Sequence, residues 1–446
     1  MELMNNYKEA ILIVDLDSKE CETEDLTEEL VEKALGGAAL NMELYEQYQD
    51  RDPLIIGTGF FTGTFMPAGC GGVITGKSPV TGKIAHVPFG IHSGVELKLT
   101  GFDFVVILGK ADAPVRLWLH DGLSDIDDAG DIWGKDVWES TDKIRETYGD
   151  EMIQMLLIGP AGENKVKAAS VSENYWGGND SFGLGAVFGE KNVKAVCMRG
   201  LDSLEVAEGF FEKCMKLKNE IVGGTIAGKA GLKDIAADLG IDAGAIEKLN
   251  NATHRNNAGY NCPYPAYTYL KYREDPGAMA MQGEAEPGCL VSNLAGFAGL
   301  LSAGLDAPQG VEKCCRLGLY PAAAAKILAD KGSTDIDALV TDGNLDEPAP
   351  WPLDGNPDKA ILGISSAFST AIPPKGIFAD KDKDADWWVK RQATAYILGI
   401  DPVIMLMAPE ITAEKLAEMV QISAEAEDFS PDKLSTIVSA LIEKSA

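Results

Sequence analysis

The fold is decided by residues 157–200, LIGPAGENKVKAASVSENYWGGNDSFGLGAVFGEKNVKAVCMRG, in which two strand-like ends flank a glycine-rich middle. Residues 156–158 and 193–198 are short apolar runs of the kind that pack in a sheet. The glycines between them permit positive φ angles and close approach of another group to the backbone. We therefore predict a loop between two strands that carries a large ligand.

The spacing of these glycines argues against a nucleotide site. Gly183, Gly185 and Gly189 read G-x-G-x-x-x-G, which is one residue longer than the dinucleotide-binding fingerprint. Phe188 stands where that fingerprint needs its third glycine or alanine. Neither a Rossmann site nor a phosphate-binding loop is predicted.

Composition indicates a globular, strongly acidic chain. Its 446 residues are 46% hydrophobic and 24% charged, and the length suits roughly three domains. The 69 Asp and Glu exceed the 39 Lys and Arg by 30 charges, which disfavours nucleic acid and anionic membranes as partners. No leader peptide or membrane-spanning apolar run is recognisable, so a cytoplasmic location is expected.

The eight cysteines are scattered and form no C-x-x-C pair. In a chain of this size such a distribution indicates reduced thiols rather than a disulfide framework. A metal site built from cysteines would require Cys70, Cys262 and Cys289 to approach one another, which the sequence alone does not decide.

Residues 1–204 have the pattern of a β-rich domain. Residues 10–16 predict a strand, and Thr27 is suited to cap the helix that follows. Residues 53–110 contain short apolar segments separated by glycine and threonine turns, which predict several antiparallel strands. Residues 115–120 predict another strand.

The rest of the chain has helical patterns. Residues 205–345 predict a second, mainly α-helical domain, because apolar residues recur there at helical spacing. The proline-rich segment 346–358 predicts a boundary. Residues 346–446 predict a shortened third helical domain, with Thr412 and Ser430 as N-caps. The predicted fold class is α+β, with a β-rich N-terminal domain followed by two mainly α-helical regions.

Seven segments of the first domain occur in the order known from one family. They are GTGFFTGT, GKSPVTG, FGIHSGVELKLTGFD, GKADAPVRLWLHDG, WGKDVWES, IGPAGENKVK and GLGAVFGEKNVKAV. Together they resemble the tungsten-containing aldehyde:ferredoxin oxidoreductases. Beyond residue 204, the segments GEAEPG, CCRLGLYPAAAAKILADKG and VKRQATAYILGIDP can be matched to the helical domains of that family, although this chain is shorter.

The resemblance implies a tungsten or molybdenum bis-pterin on the β-rich domain and a four-iron four-sulfur cluster beside it. In the family, three cluster cysteines form a C-x-x-C-x-x-x-C run and a fourth follows a Leu-Gly dipeptide. Here Cys262 is the single retained cluster-cysteine position, and Gly259, Ala266 and Asp401 stand at the other three. A cubane cluster needs thiolates at these positions, so its loss is predicted.

The pterin-contacting positions implied by the resemblance are also changed. Two family arginines, a magnesium-binding turn and two aspartates have been replaced by residues without the same chemistry. The substituted positions are Gly71, Pro88, Phe89, Ser181, Cys315 and Tyr320. The vestigial pterin positions that remain are Gly90, Gly183 and Leu319.

These substitutions lead to three hypotheses, of which we favour the first. In the first, the chain is a non-catalytic subunit or scaffold without tungstopterin or an iron–sulfur cluster. It then binds a catalytic oxidoreductase subunit, another protein partner or a second copy of itself. The second is an active tungsten or molybdenum oxidoreductase of aldehydes or related carbonyl or carboxylate substrates, in which Gly90 and Gly183 still hold an atypical pterin. The third is that the remodelled cavity binds another small ligand. Under the first hypothesis, Pro88, Phe89, Phe182 and Tyr320 would fill part of the pterin cavity if these residues converge.

Overall fold

The computed structural model describes residues 2–203, 207–231, 234, 242–265, 267–270, 289–291, 294–346 and 385–445. The predicted boundary at residue 204, nearly all of the predicted linker 346–358, and Ala266 lie outside these ranges. Both predicted domain boundaries therefore stay predictions.

The described residues contain strands in the first half of the chain and mostly helices in the second. The strands are β1 (Ala10–Asp15), β2 (Glu20–Asp25), β3 (Leu54–Thr58), β4 (Gly72–Lys77), β5 (Ile84–Phe89), β6 (Phe104–Leu108), β7 (Val115–His120), β8 (Leu123–Asp128), β9 (Gln154–Ile158), β10 (Val171–Glu173), β11 (Val193–Arg199), β12 (Arg255–Asn257), β13 (Tyr267–Leu270) and β14 (Cys289–Val291).

The helices are α1 (Glu28–Ala34), α2 (Gly37–Gln47), α3 (Ser93–Leu99), α4 (Val137–Tyr148), α5 (Pro160–Glu163), α6 (Leu184–Glu190), α7 (Phe210–Gly223), α8 (Ala243–Ala252), α9 (Leu294–Ser302), α10 (Ala307–Leu317), α11 (Pro321–Lys331), α12 (Leu339–Asp342), α13 (Ala385–Leu398), α14 (Pro402–Met407), α15 (Ala413–Ala424) and α16 (Pro431–Lys444). This distribution confirms the α+β fold class, with a β-rich N-terminal part and helical regions after it.

Two sheets form the first part of the molecule. The first has the order β2-β1-β6-β3-β4-β5, with β1 and β6 parallel and the other neighbours antiparallel. The second has the order β10-β9-β11-β7-β8. Apolar side chains of both sheets, including Val105 and Ile107 of β6 and Leu156 and Val196 of the second sheet, form one buried cluster. The sheets therefore share a core.

The segment 157–200 has the predicted strands at its ends but also two helices inside. β9 and β11 are antiparallel neighbours at the centre of the second sheet. The glycine-rich middle is therefore not one loop. The Asp180 carboxylate accepts hydrogen bonds from the backbone N–H groups of Phe182 (3.0 Å) and Gly185 (2.8 Å). These bonds start α6, which the sequence pattern did not indicate.

The segment 53–110 also differs in part from the predicted run of strands. Residues 93–99 form α3, although Val95, Leu97 and Leu99 alternate as they would in a strand. Residues 71–78, GGVITGKS, have the letters of a phosphate-binding P-loop. They lie mainly in β4, between two antiparallel neighbours, whereas a P-loop must lead from a strand into a helix.

The helical part contains a small antiparallel sheet, β12-β13-β14, that was not predicted. Its final helices return to the first part of the molecule, where α13 and α16 pack on α2 and α15 packs on the N-terminal 3-10 helix Glu2–Asn6. Within the described ranges, no helix is both long and apolar enough to cross a membrane.

Candidate functional site

A small cavity of about 60 Å³ lies where the two sheets meet the N-terminus of α14. Its walls come from the first sheet (Ile74 and Val87), the second sheet (Leu156) and the loops around them. Glu173 and Asp401 bring carboxyl groups to the same cavity. The site is therefore mostly apolar with an acidic part.

Glu173 caps the helix N-terminus that borders the cavity. His92, the N-cap residue of α3, makes no side-chain capping bond, and the Glu173 carboxylate on β10 supplies the acceptor instead. Its Oε1 accepts N–H bonds from Ser93 (3.1 Å) and His92 (3.4 Å), and its Oε2 accepts one from Gly90 (3.1 Å). Burial raises the pKa of Glu173 to about 7, and these N–H groups oppose the increase.

Asp401 has a similar role at α14, for which it is the N-cap residue. Its Oδ1 accepts the N–H of Val403 at 2.8 Å, and its Oδ2 accepts the phenol hydrogen of Tyr267 at 2.5 Å. Burial raises the pKa of Asp401, whereas the Tyr267 bond and the helix N–H groups lower it. The Asp401 carboxylate thus accepts hydrogen bonds both from the N-terminus of α14 and from the buried phenol of Tyr267.

Three of the four positions that the resemblance assigns to cluster ligands are close together. A Cβ atom built on Gly259 would lie 3.7 Å from Oδ2 of Asp401 and 2.8 Å from Sγ of Cys70. The N–H of Cys262 donates to the carbonyl of Gly259 at 3.1 Å. Cys70, which the cluster motif does not include, therefore fills the space beside Gly259.

The Cys70 thiol lies in an acidic environment. The pKa of Cys70 is raised, and burial has the largest effect on it. The negative charges of Asp401, Cys262 and Glu173 raise it further. The side chain of Cys289 lies outside the described part of the chain. Among the described residues, no group of three or more His, Cys, Asp or Glu side chains is arranged to hold a metal ion.

The segment around Asp401 is held against the first part of the molecule by its backbone. The N–H of Gly71 donates to the carbonyl of Gly399, and the N–H of Asp401 donates to the carbonyl of Ala68, at 2.8 and 2.9 Å. A Cβ on Gly59 would lie 2.0 Å from the nitrogen of Gly399. The glycines at positions 59 and 399 are therefore required by this close approach.

Four of the predicted pterin positions line the cavity: Gly71, Pro88, Phe89 and Gly90. The Phe89 ring lies so close to Gly72 that a Cβ there would be 2.2 Å from it. Phe89 thus fills space at the end of β5.

The other predicted positions do not line the cavity; they are Ser181, Gly183, Cys315, Leu319 and Tyr320. The thiol of Cys315 donates to the carbonyl of Trp176, a residue that does line it, at 3.5 Å. Leu319 forms an isolated β-bridge with Ala169.

Phe182 and Tyr320, whose convergence with Pro88 and Phe89 the sequence left open, are not among the described residues that line this cavity. The carbonyl of Phe182 accepts a hydrogen bond from Ser78 at 2.7 Å, and its ring is buried in the cluster between the sheets. The N–H of Tyr320 donates to the carbonyl of Ala168 at 2.9 Å.

Gly183 takes part in an internal carboxylate site instead. It is the N-cap residue of α6 with a φ of 76°, and its N–H is among those that lower the pKa of Asp180. The net effect of burial is nevertheless to raise the pKa of Asp180 to about 6. The carboxylate of Glu173 therefore binds the N–H group of Gly90, and the carboxylate of Asp180 binds the N–H groups of Phe182 and Gly185 around Gly183.

Two residues of the site, Glu173 and Tyr267, were missed by the sequence analysis. Both contribute through contacts with residues that are distant along the chain, at positions 90–93 and 401. The local sequence offers only weak signals. Glu173 is an acidic residue at the end of the short strand VSE, and Tyr267 begins the alternating aromatic segment YTYL.

Comparison with known proteins agrees with this fold. Residues 11–200 match the family model described as aldehyde ferredoxin oxidoreductase, N-terminal domain. The tungsten-containing aldehyde ferredoxin oxidoreductase of Pyrococcus abyssi is 41% identical over 235 residues, which are 50% of this chain and 39% of that protein. Residues 11–200 are therefore similar to the N-terminal domain of the aldehyde ferredoxin oxidoreductases, which confirms the resemblance seen in the sequence.

Two further proteins broaden the comparison. The WOR-like subunit of an aliphatic sulfonate oxidoreductase from Pyrococcus furiosus is 33% identical over 220 residues, 44% of this chain and 35% of that protein. A chain of the active site complex BamBC of benzoyl coenzyme A reductase, solved with 1,5-dienoyl-CoA, has a TM-score of 0.73 and 18% identity. That match covers 99% of this chain and 89% of the other, and it shows a shared fold.

Proposed function

We propose that this chain is a non-catalytic member of the aldehyde ferredoxin oxidoreductase family that acts as a subunit or scaffold without tungstopterin or an iron–sulfur cluster. One observation carries the proposal. The N–H group of Gly90 is bound by the buried carboxylate of Glu173, and the buried carboxylate of Asp180 binds the N–H groups of Phe182 and Gly185, which flank Gly183. An anionic cofactor would have to displace both carboxylates to use these N–H groups.

The cluster positions support the same conclusion. A cubane cluster is held by four thiolates, whereas the described ligand positions are Gly259, Cys262 and Asp401. Asp401 is engaged by Tyr267 and by the N-terminus of α14, and Cys70 fills the space next to Gly259. The group that would bind iron at position 401 is thus part of the protein's own hydrogen-bonding network.

The residues at the cavity do not fit a bis-pterin. A cavity of about 150 Å³ holds one benzene molecule, so about 60 Å³ is far too small for two pterins. Of its described lining, no residue is Lys or Arg, and pterin phosphates bind most strongly to guanidinium groups. The carboxylates of Glu173 and Asp401 would repel those phosphates.

The relatives support a role beside a partner protein. One is named as a subunit of an aliphatic sulfonate oxidoreductase, and the structural neighbour is part of a complex named BamBC. We propose that this chain likewise binds a catalytic oxidoreductase subunit or a second copy of itself.

An active enzyme with an atypical cofactor is the second candidate. The 41% identity to a tungsten-containing aldehyde ferredoxin oxidoreductase over 235 residues favours it, as does the match of residues 11–200 to the N-terminal domain of that family. This candidate requires the carboxylates of Glu173 and Asp180 to release their N–H partners when a cofactor binds.

The two candidates differ in redox activity. The test is aldehyde-dependent reduction of a viologen dye by protein that is made anaerobically in a host supplied with tungstate and molybdate. We expect no reduction above that of heat-denatured protein. Reduction in proportion to the tungsten or molybdenum bound would establish the active enzyme instead.

A further inference from the structure

We propose that the cavity between Glu173 and Asp401 binds a short primary alkylammonium ion. The inference rests on the proposed function, because a resident pterin would occupy the same region. It assigns a ligand class to the site: a cationic head at the acidic part of the cavity and a short alkyl tail on its apolar wall.

The charge of the cavity selects a cation. Glu173 is 7% exposed and Asp401 is 1% exposed, and none of the described lining residues is Lys, Arg or His. Their hydrogen bonds come from neutral backbone N–H groups and a phenol, which stabilise the carboxylates without cancelling their charge. A carboxylate in a low-dielectric site is stabilised most by an opposite charge nearby.

The walls of the cavity suit an alkyl chain and a cation together. Ile74, Val87 and Leu156 offer aliphatic surface, and the aromatic residues Trp176 and Tyr267 also line the cavity. Aromatic faces attract ammonium groups, with a larger effect when water is excluded. An apolar pocket with a few convergent polar groups is the usual form of a small-molecule site.

The size of the cavity limits the ligand. Scaled against a cavity of about 150 Å³ for the six carbons of benzene, about 60 Å³ accommodates roughly two to three non-hydrogen atoms. Ethylammonium is within this range. Acetate is larger by a single oxygen atom and has the wrong charge, and ethanol has the same number of non-hydrogen atoms as ethylammonium without a charge.

The experiment uses ethylammonium chloride as the probe, with full-length protein at pH 8.5, where the ligand is charged. Thermal unfolding and calorimetric titration are compared with ethanol, sodium acetate and sodium chloride at equal concentration. We expect stabilisation by ethylammonium alone, so that at ten times Kd the folding equilibrium shifts about 11-fold. Binding of ethanol or acetate with similar affinity, or no binding of ethylammonium, would overturn the inference.

Two variants test the location of the site. Glu173→Gln keeps the shape of the side chain and removes its charge, and we expect at least a tenfold loss of affinity. Val87→Phe fills the cavity and keeps both carboxyl groups, so it should also abolish binding, which covers the case in which Glu173→Gln fails to fold. Glu146→Gln, at an exposed ion pair on α4, is the matched control and should bind as the natural protein does. Unchanged binding by folded Glu173→Gln or Val87→Phe would contradict the location.

Metal analysis of the same sample separates the two possible failures. Stoichiometric tungsten or molybdenum would contradict the proposed function and this inference together. Absence of ethylammonium binding in metal-free, folded protein would contradict this inference alone.

Discussion

Replacement of Asp401 by cysteine tests whether the site has been rebuilt around a carboxylate. Asp401→Cys restores the residue type that the family resemblance implies at this position, so an intact ancestral site should tolerate it. In this structure Asp401 accepts hydrogen bonds from Tyr267 (2.5 Å) and Val403 (2.8 Å), and a thiol is a weak acceptor for both. We expect the variant to be destabilised.

The size of the effect follows from these two bonds. Loss of the N-cap bond costs about 1 kcal/mol. A buried phenol without a partner costs a further 1–3 kcal/mol, approximately. The free energy of unfolding should therefore fall by about 2–4 kcal/mol, partly offset if the thiol accepts a weak bond.

The assay is urea unfolding followed by circular dichroism, with two comparison variants. Tyr267→Phe removes only the phenol bond and should cost about 1 kcal/mol. Asp306→Ala removes the N-cap of α10, which accepts the N–H of Gln309 at 3.3 Å, and should cost about 1 kcal/mol for capping alone. Stability of Asp401→Cys equal to that of the natural protein would refute the reasoning.

Three further predictions concern buried groups. Asp103→Asn removes the counter-charge of the buried Lys98 ammonium, which lies 3.8 Å from Asp103. Urea unfolding should show that the free energy of unfolding falls by about 3–5 kcal/mol. A fall below about 1 kcal/mol would count against a contribution of this ion pair to stability. Because burial raises the pKa of Glu173 to about 7, the folded state binds the extra proton, so stability should fall by up to about 3 kcal/mol as pH rises from about 4.5 to 7. Glu173→Gln should flatten that slope in urea midpoints measured at pH 5 and pH 8, and an unchanged slope would assign it elsewhere. Gly259→Cys should lower the melting temperature because its Cβ would lie 2.8 Å from Sγ of Cys70. Adding Cys70→Ala to that variant should restore the melting temperature. A melting temperature unaffected by Gly259→Cys would show that the space beside Gly259 is open.

Features that depend on nearby residues could be read from the sequence. Thr27, Thr412 and Ser430 were predicted as N-caps, and each accepts the backbone N–H three residues later. The strand predicted at residues 115–120 has those bounds in the structure. A cap and a period-two pattern are local, so neither requires knowledge of the tertiary fold.

Elements whose stability comes from tertiary contacts could not be predicted. β2 (ECETED) and β8 (LSDIDD) are acidic edge strands, and acidic residues disfavour strands by propensity. They form because each is the antiparallel neighbour of an apolar strand, β1 and β7 respectively. Similarly, α3 receives its N-terminal acceptor from Glu173, about 80 residues away along the chain.

The candidate site was predictable only in part for the same reason. The resemblance identified Gly71, Pro88, Phe89 and Asp401 as altered positions, and these residues do meet at one cavity. No pattern in the sequence indicates that Glu173 reaches the same cavity from the second sheet. A carboxylate that caps a distant helix has no local pattern, since its partners are backbone N–H groups that every residue except proline carries.

The most direct test of the central claim is elemental analysis for tungsten, molybdenum and iron on protein purified without oxygen, with a visible spectrum of the same sample. The host must supply all three metals, and circular dichroism must show that the protein is folded. We predict colourless protein with far less than one metal atom per chain. Near one tungsten or molybdenum per chain, with iron and the broad visible absorbance of a cluster, would contradict the loss of the cofactor sites and identify the chain as an active oxidoreductase.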